Sequence, residues 1–363
     1  MNIYTTSNLF QRSSRLLLSN NFKCLINHQS PRLCSFSTTT ASASTNEQQI
    51  ITKIYDRIIG NRSSSIQIKD NGTKSGRGLF AITAFKKGSQ IFQEEPFVSY
   101  PSLDVDKSTI CNHCLKQLNN NGNNNNDNKS KQQQQCTKCG ERYCSEKCRS
   151  SAEVQHHLAS CPTSSNIDNI TRYSLVEKRR FPLLAARILS RILLENHFDK
   201  TMHNWENLQV LSFAKKDAPL EWKDDYDVFK KSLLTRESNQ KRFDFNWFVR
   251  IMQILYLNTL GIDVGSTKPS ISSPTSSIGL FFLSSFFNHS CDPNVYMAFP
   301  HDKTAVITAL RDIKKGEELF ISYGDSEKDM FDRQTHLFDN YGFNCDCPKC
   351  TQELLLTKQQ RNK

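Results

Sequence analysis

Cysteine spacing constrains this chain more than any other feature. Three short cysteine pairs and one mixed pair follow one another: Cys111-x2-Cys114, Cys136-x2-Cys139, Cys144-x3-Cys148 and His157-x3-Cys161. Together they offer eight thiolate or imidazole donors. A structural zinc takes about four such donors in a tetrahedron, so the run specifies a pair of metal sites. A second group, Cys345-x-Cys347-x2-Cys350, places three thiolates on a tight loop. It needs a fourth donor, and Cys291 is the unassigned cysteine outside the amino-terminal segment. Only Cys24 and Cys34 stand apart from these sets. Such clustering is unlike a disulfide framework and suits metal ligation in a reducing compartment.

The rest of the composition narrows the class. With 363 residues, 37% of them hydrophobic, the chain is long enough to bury a substantial core. No run approaches the roughly 20 apolar residues of a membrane span. The stretch from Ile278 to Phe287 reads as buried core instead. The net charge of +11 is partly local, because residues 1–46 carry Arg12, Arg15, Lys23 and Arg32 and no acid. No Lys/Arg block with interleaved aromatics stands out, so nucleic acid is not expected as the main partner. The same segment is rich in Ser, Thr and Asn, with Leu16-Leu17-Leu18 beside its arginines. That is the composition of a mitochondrial presequence, or of a disordered tail, and either lies outside the fold.

Periodicity supplies the elements. Helices are expected over Ile50–Ile59, Pro182–His197 and Phe243–Leu260, the last two with apolar residues at helical spacing. Short strands are expected at Ile66–Ile68, Gln90–Val98, Val295–Ala298, Ala305–Ala309 and Glu318–Ser322. The Asn/Gln/Lys stretch over 119–135 cannot bury a core and reads as a disordered loop between two ligand pairs. Residues 266–277 read as a Ser/Pro/Thr loop, and residues 353–363 as a polar tail.

Four segments occur in order around the cysteine run: Ser75-Gly-Arg-Gly-Leu-Phe-Ala81, Asn288-His-Ser-Cys-Asp-Pro-Asn294, Glu318-Leu-Phe-Ile-Ser-Tyr-Gly324 and Tyr341-Gly-Phe-Asn-Cys-Asp-Cys347. Together with Tyr143-Cys144 and the His-x3-Cys end of the run, they resemble a SET domain split by a MYND zinc finger, as in the SMYD family of protein lysine methyltransferases. The resemblance implies an α+β fold. Its SET portions would be 65–110 and 280–324, the finger 111–161, a helical insert 162–279 and a zinc-binding post-SET segment 325–352. It also implies cross-braced metal ligation, with Cys111, Cys114, Cys144 and Cys148 on one zinc and Cys136, Cys139, His157 and Cys161 on the other. The x3 gap before Cys161 selects His157, whereas the family's usual spacing favours His156. Cys291, Cys345, Cys347 and Cys350 would hold the third zinc.

The same resemblance implies transfer of a methyl group from S-adenosylmethionine to lysine. Tyr323 would be the active-site tyrosine, with Tyr341 lining the lysine channel. Gly76, Arg77 and Gly78 would let the backbone approach the cofactor. Asn288 and His289 would hydrogen-bond it, Phe343 would stack near its adenine, and Asn258 would add a further contact. The chemistry suits these residue types. Lysine titrates near 10.4 in water, so its amine must lose a proton before it attacks, and a narrow dry channel disfavours the charged form. The expected partner is a lysine-bearing protein, histone or not, and the chain is expected to be a monomer. A competing reading is a non-catalytic adaptor whose finger binds proline-rich peptides. The family works mostly in cytoplasm and nucleus, while a real presequence would direct this chain to mitochondria.

Overall fold

The computed structural model describes residues 45–72, 76–118, 134–162, 166–198, 203–214, 217–266 and 277–361. The presequence-like segment up to residue 44, most of the Asn/Gln stretch and the loop interior over 267–276 lie outside the described residues. Two expected boundaries move. Helix α1 (Thr45–Ile59) begins inside the segment read as a tail. Gln134 and Gln135, read as loop, form strand β5 (Gln134–Gln135) against β6 (Arg142–Tyr143) in the finger.

Strand pairing brings distant segments together. One sheet runs in the order β1 (Ile66–Asp70), β2 (Arg77–Ala81), β12 (Glu318–Ile321), β9 (Asn288–His289). A second holds β10 (Val295–Ala298), β11 (Ala305–Ala309) and β3 (Gln90–Glu94), and a third β4 (Val98–Tyr100), β8 (Ser277–Leu280) and β7 (Thr259–Ile262). The sequence read Gln90–Val98 as one strand. Pro96 lacks the N–H a ladder needs, and the chain divides there into β3 and β4. In β11 alternate residues Ala305, Ile307 and Ala309 face the core, the period expected of a half-buried strand. The β9–β12 contact is parallel, with Asn288 opposite Phe320 and His289 opposite Ile321.

The helices are α2 (Glu146–Ala152) and α3 (Leu158–Ser160) in the finger, α4 (Ile167–Val176), α5 (Phe181–Phe198), α6 (Asn204–Gln209), α7 (Glu221–Leu233), α8 (Glu237–Arg242), α9 (Phe245–Asn258), α10 (Met330–Tyr341) and α11 (Pro348–Arg361). Helix α5 starts with Pro182 in its first turn, where a missing N–H costs nothing. Its Leu183, Leu184, Ala185, Ala186, Ile188 and Leu189 are all buried, so little of this stretch faces solvent. It packs on the finger, β4, α4, α7 and α9 at once. Asp244 caps α9 by accepting from the Trp247 N–H at 2.9 Å. Aromatic rings from α7, α9 and the turn before α9 interlock, with Phe229 and Phe248 centroids 5.0 Å apart and Phe243 and Trp247 also 5.0 Å apart. Helix α9 stops two residues before the expected Leu260, because Thr259 and Leu260 pair with β8. The expected polar tail is instead most of α11.

Candidate functional site

Residues 288–289 and 320–321 run side by side, and β2 closes the other flank of β12. Tyr323 follows directly after this seam. Its hydroxyl donates to the Phe287 carbonyl at 2.5 Å. Burial pushes this phenol well above its ordinary range, with the nearby Tyr341 and Glu318 adding to the effect, so it stays protonated. Gly342 adopts a left-handed conformation at φ +76° and ends α10. That turn directs Tyr341 and Phe343 back toward Tyr323. Ring centroids lie 4.8 Å apart for Tyr323 and Tyr341, 6.5 Å for Tyr323 and Phe343, and 6.1 Å for Phe343 and His289. Three of the expected aromatic and imidazole partners thus meet at Tyr323. Burial, then Tyr256, raises the Tyr341 phenol to about 12. Tyr256, on α9, is a residue that no sequence pattern marked.

The glycine turn lies across the seam. Gly76 has φ +70°, a conformation that favours glycine. A Cβ on Gly78 would stand 2.2 Å from Glu318 Oε1 and 3.1 Å from Asn288 Nδ2, so the turn can press against the seam only because position 78 has no side chain. Asn288 Nδ2 donates to Glu318 Oε1 at 2.7 Å and to the Arg77 carbonyl at 3.1 Å. Asn71 Nδ2 reaches Glu318 Oε2 at 3.2 Å. Glu318 is therefore the hub of this corner, although the sequence marked it only as the first residue of a strand and motif, with no role of its own. Arg77 contributes its carbonyl here. Its guanidinium turns away to the Tyr55 hydroxyl at 3.0 Å, the Val210 carbonyl and the face of Phe286.

Two expected cofactor contacts use their side chains differently. The Tyr323 N–H donates to His289 Nδ1 at 3.0 Å, which leaves the ring proton on Nε2, 3.2 Å from Cys291 Sγ. The imidazole therefore joins the tyrosine strand to the cysteine cluster. Asn258 is buried at the end of α9, and its Nδ2 donates to the carbonyls of Ser212 and Ile254, each at 2.7 Å.

Among the described residues three donor clusters are assembled: Cys111, Cys114, Cys144 and Cys148; Cys136, Cys139, His157 and Cys161; Cys291, Cys345, Cys347 and Cys350. Within each set the donor atoms lie within 4.8 Å of one another, and no disulfide joins them. A zinc–sulfur bond of about 2.3 Å implies sulfurs about 3.8 Å apart in a tetrahedron. The distances from Cys114 to Cys144, Cys144 to Cys148 and Cys350 to Cys291 are each 3.5 Å, and that from Cys291 to Cys345 is 3.9 Å. These clusters therefore suit zinc. His157 turns Nε2 toward Cys139 at 3.6 Å, while its Nδ1 meets Glu141 at 2.8 Å, the carboxylate–imidazole arrangement that orients a metal-binding ring. His156 faces the other way and is buried against the body. Burial, then Arg187 and His113, holds its pKa well below the usual histidine range, so it is neutral.

Helix α10 braces the third cluster. Gln334 donates to the Cys345 carbonyl at 2.7 Å and accepts from the Cys345 N–H at 2.8 Å. Arg333 is 5% exposed and directs Nη2 to Cys350 Sγ at 3.7 Å and to Glu353 at 2.5 Å. Neither residue carries a sequence signal beyond its place in an amphipathic helix.

Comparison with known proteins follows the same outline. The SET domain family model matches residues 76–324. A SET and MYND domain-containing protein of Dictyostelium discoideum is 43% identical over 335 residues, covering 86% of this chain and 94% of its own. Human protein-lysine N-trimethyltransferase SMYD5 is 28% identical over 371 residues, covering 82% and 88%. Histone-lysine N-methyltransferase ATXR4 of Arabidopsis thaliana is 26% identical over 294 residues, covering 76% and 83%. With the seam, the glycine turn and the inserted cysteine run all in place, this chain belongs to the SET domain family, among its SET and MYND domain-containing members.

Proposed function

We propose that this protein transfers a methyl group from S-adenosylmethionine to the ε-amine of lysine in another protein. The observation that carries the reading is the meeting of Tyr323, Tyr341 and Phe343 beside the Asn288–His289 seam, with the Gly76–Gly78 turn pressed against it. Relatives across most of the chain's length bear the names protein-lysine N-trimethyltransferase and histone-lysine N-methyltransferase. S-adenosylmethionine, when bound, supplies a methyl group whose sulfur–carbon bond breaks as the nitrogen–carbon bond forms, leaving a neutral thioether.

The chain's own residues do the rest. Gly76 and Gly78 keep side chains out of the corner where a cofactor would lie, and Asn288 is held ready by Glu318. Tyr323 donates its proton to Phe287, so its oxygen retains lone pairs that can accept from an amine and aim it. The half-buried rings of Tyr323 and Tyr341 disfavour an ammonium and align the neutral amine, so positioning supplies most of the rate. No side chain is required as a general base. As part of this reading, the finger holds two zinc ions and the Cys291–Cys350 cluster holds one, all structural. The substrate is a histone or, if the basic amino-terminal segment is a presequence, a mitochondrial protein.

Incubation with radiolabelled S-adenosylmethionine and fractionated organelle extracts tests activity and compartment together. Label in lysine of one fraction supports the reading. Purified metal-loaded protein that neither binds S-adenosylmethionine by calorimetry nor labels any fraction refutes it.

A further inference from the structure

Helix α10 passes behind the strand end that delivers Tyr323, and His336 stands against that strand end. Its Nε2 lies 3.4 Å from the Tyr323 carbonyl oxygen. Its Nδ1 faces Asn340 Nδ2 at 3.1 Å, and the same amide donates to the His336 carbonyl at 2.8 Å. An amide nitrogen only donates, so Nδ1 accepts and the ring proton sits on Nε2, directed at Tyr323. The His336 ring also meets the Tyr341 ring edge-on, with centroids 6.2 Å apart and planes at 65°.

Gly324 makes the contact specific. Its backbone is not left-handed, so conformation alone does not demand glycine there. A Cβ at that position would come within 2.9 Å of His336 Cδ2 and 3.0 Å of Nε2. The imidazole thus occupies the space that any other residue at 324 would fill. On the inner side Tyr323 is tied to Phe287 and His289. On the outer side His336 is the side chain that touches both its backbone and the ring of Tyr341.

We propose that His336 is a positioning residue for methyl transfer. Packed over Gly324 and edge-on to Tyr341, it fixes the separation of the two phenols and thereby limits how many methyl groups one lysine can accept. The inference rests on the methyltransferase reading above. An amine that already carries methyl groups is bulkier, so a looser gap between the phenols admits it more readily.

The test uses the full chain, S-adenosylmethionine and a mixed protein extract, followed by hydrolysis and chromatographic separation of mono-, di- and trimethyllysine. His336→Ala is expected to lower total transfer about tenfold, as small misplacements of reacting groups do. Calorimetric affinity for S-adenosylmethionine should be unchanged, and the product should shift toward more highly methylated lysine. Gly324→Ala should displace the ring and produce the same shift, with the double variant no worse than the worse single one. His336→Phe refills the space and should restore the wild-type product ratio. A His336→Ala protein with wild-type rate and product ratio overturns the inference. So do losses that multiply in the double variant, or a phenylalanine variant no better than alanine. A wild-type protein that methylates nothing removes the functional reading itself, and this inference with it.

Discussion

Tyr323 is legible in the sequence as a tyrosine, but what makes it useful comes from groups far along the chain. Its proton goes to Phe287, its backbone N–H to His289 and its ring against Tyr341. Tyr323→Phe keeps the ring packing and removes the oxygen proposed to orient the amine. Methyl transfer should fall by about two orders of magnitude, the scale of one lost preorganised polar contact. Metal content by elemental analysis should not change. Gly78→Ala tests the other side of the site. The added carbon would overlap Glu318, an overpacking worth about 1–3 kcal/mol. Calorimetry should show weakened S-adenosylmethionine binding, and unchanged affinity would contradict the placement of the turn. The motifs identified the cysteines, the aromatic residues and Asn288. They did not reveal that the Arg77 guanidinium turns to α1 and the Val210 carbonyl, or that the His289 ring reaches Cys291. Side-chain direction depends on what packs on each face, and a local motif carries no record of that.

Element boundaries were readable where periodicity was long and misread where pairing decided. The apolar run of α5 predicts its helix almost to the residue. Thr259 and Leu260 continue the helical pattern of α9 but are captured by β8. The short final segment shows no strong period, and it forms α11 with Leu354, Leu355 and Leu356 exposed. Helix α10 could be read neither for its brace on Cys345 nor for its guanidinium on Cys350, because both depend on tertiary contact. Arg333→Met preserves the helix and removes the donors to Cys350 and Glu353. Loss of such outer hydrogen bonds typically costs 10- to 100-fold in metal affinity, roughly the effect expected here. A colorimetric chelator should draw one metal from this variant faster than from wild type, while the finger's release rates stay the same.

Across the whole molecule the order of segments was plain in the sequence, but the docking of the finger on the body was not. Arg187 and Lys303 are almost fully buried beneath the finger. Arg187 reaches the Asn112 carbonyl at 3.4 Å, the Lys303 N–H donates to the Cys114 carbonyl at 3.0 Å, and Arg191 reaches Gln155 at 3.2 Å. A divalent ion bound by four thiolates leaves net negative charge on the finger, which these buried cations oppose. Stripping the metals should therefore lower the unfolding temperature of the entire chain as one transition, because metal binding contributes to folding. Calorimetry in which the body melts unchanged after chelation would refute that coupling. The imidazole of His289 carries a further consequence. It joins Cys291, a donor of the third cluster, to the tyrosine proposed to guide the reacting amine. Peroxide that oxidises Cys291 would remove a donor from the third cluster, disturb the Nε2 contact and, through the same ring, the seating of Tyr323. Catalysis should then fade while circular dichroism remains native, making turnover an early gauge of oxidative damage in this protein.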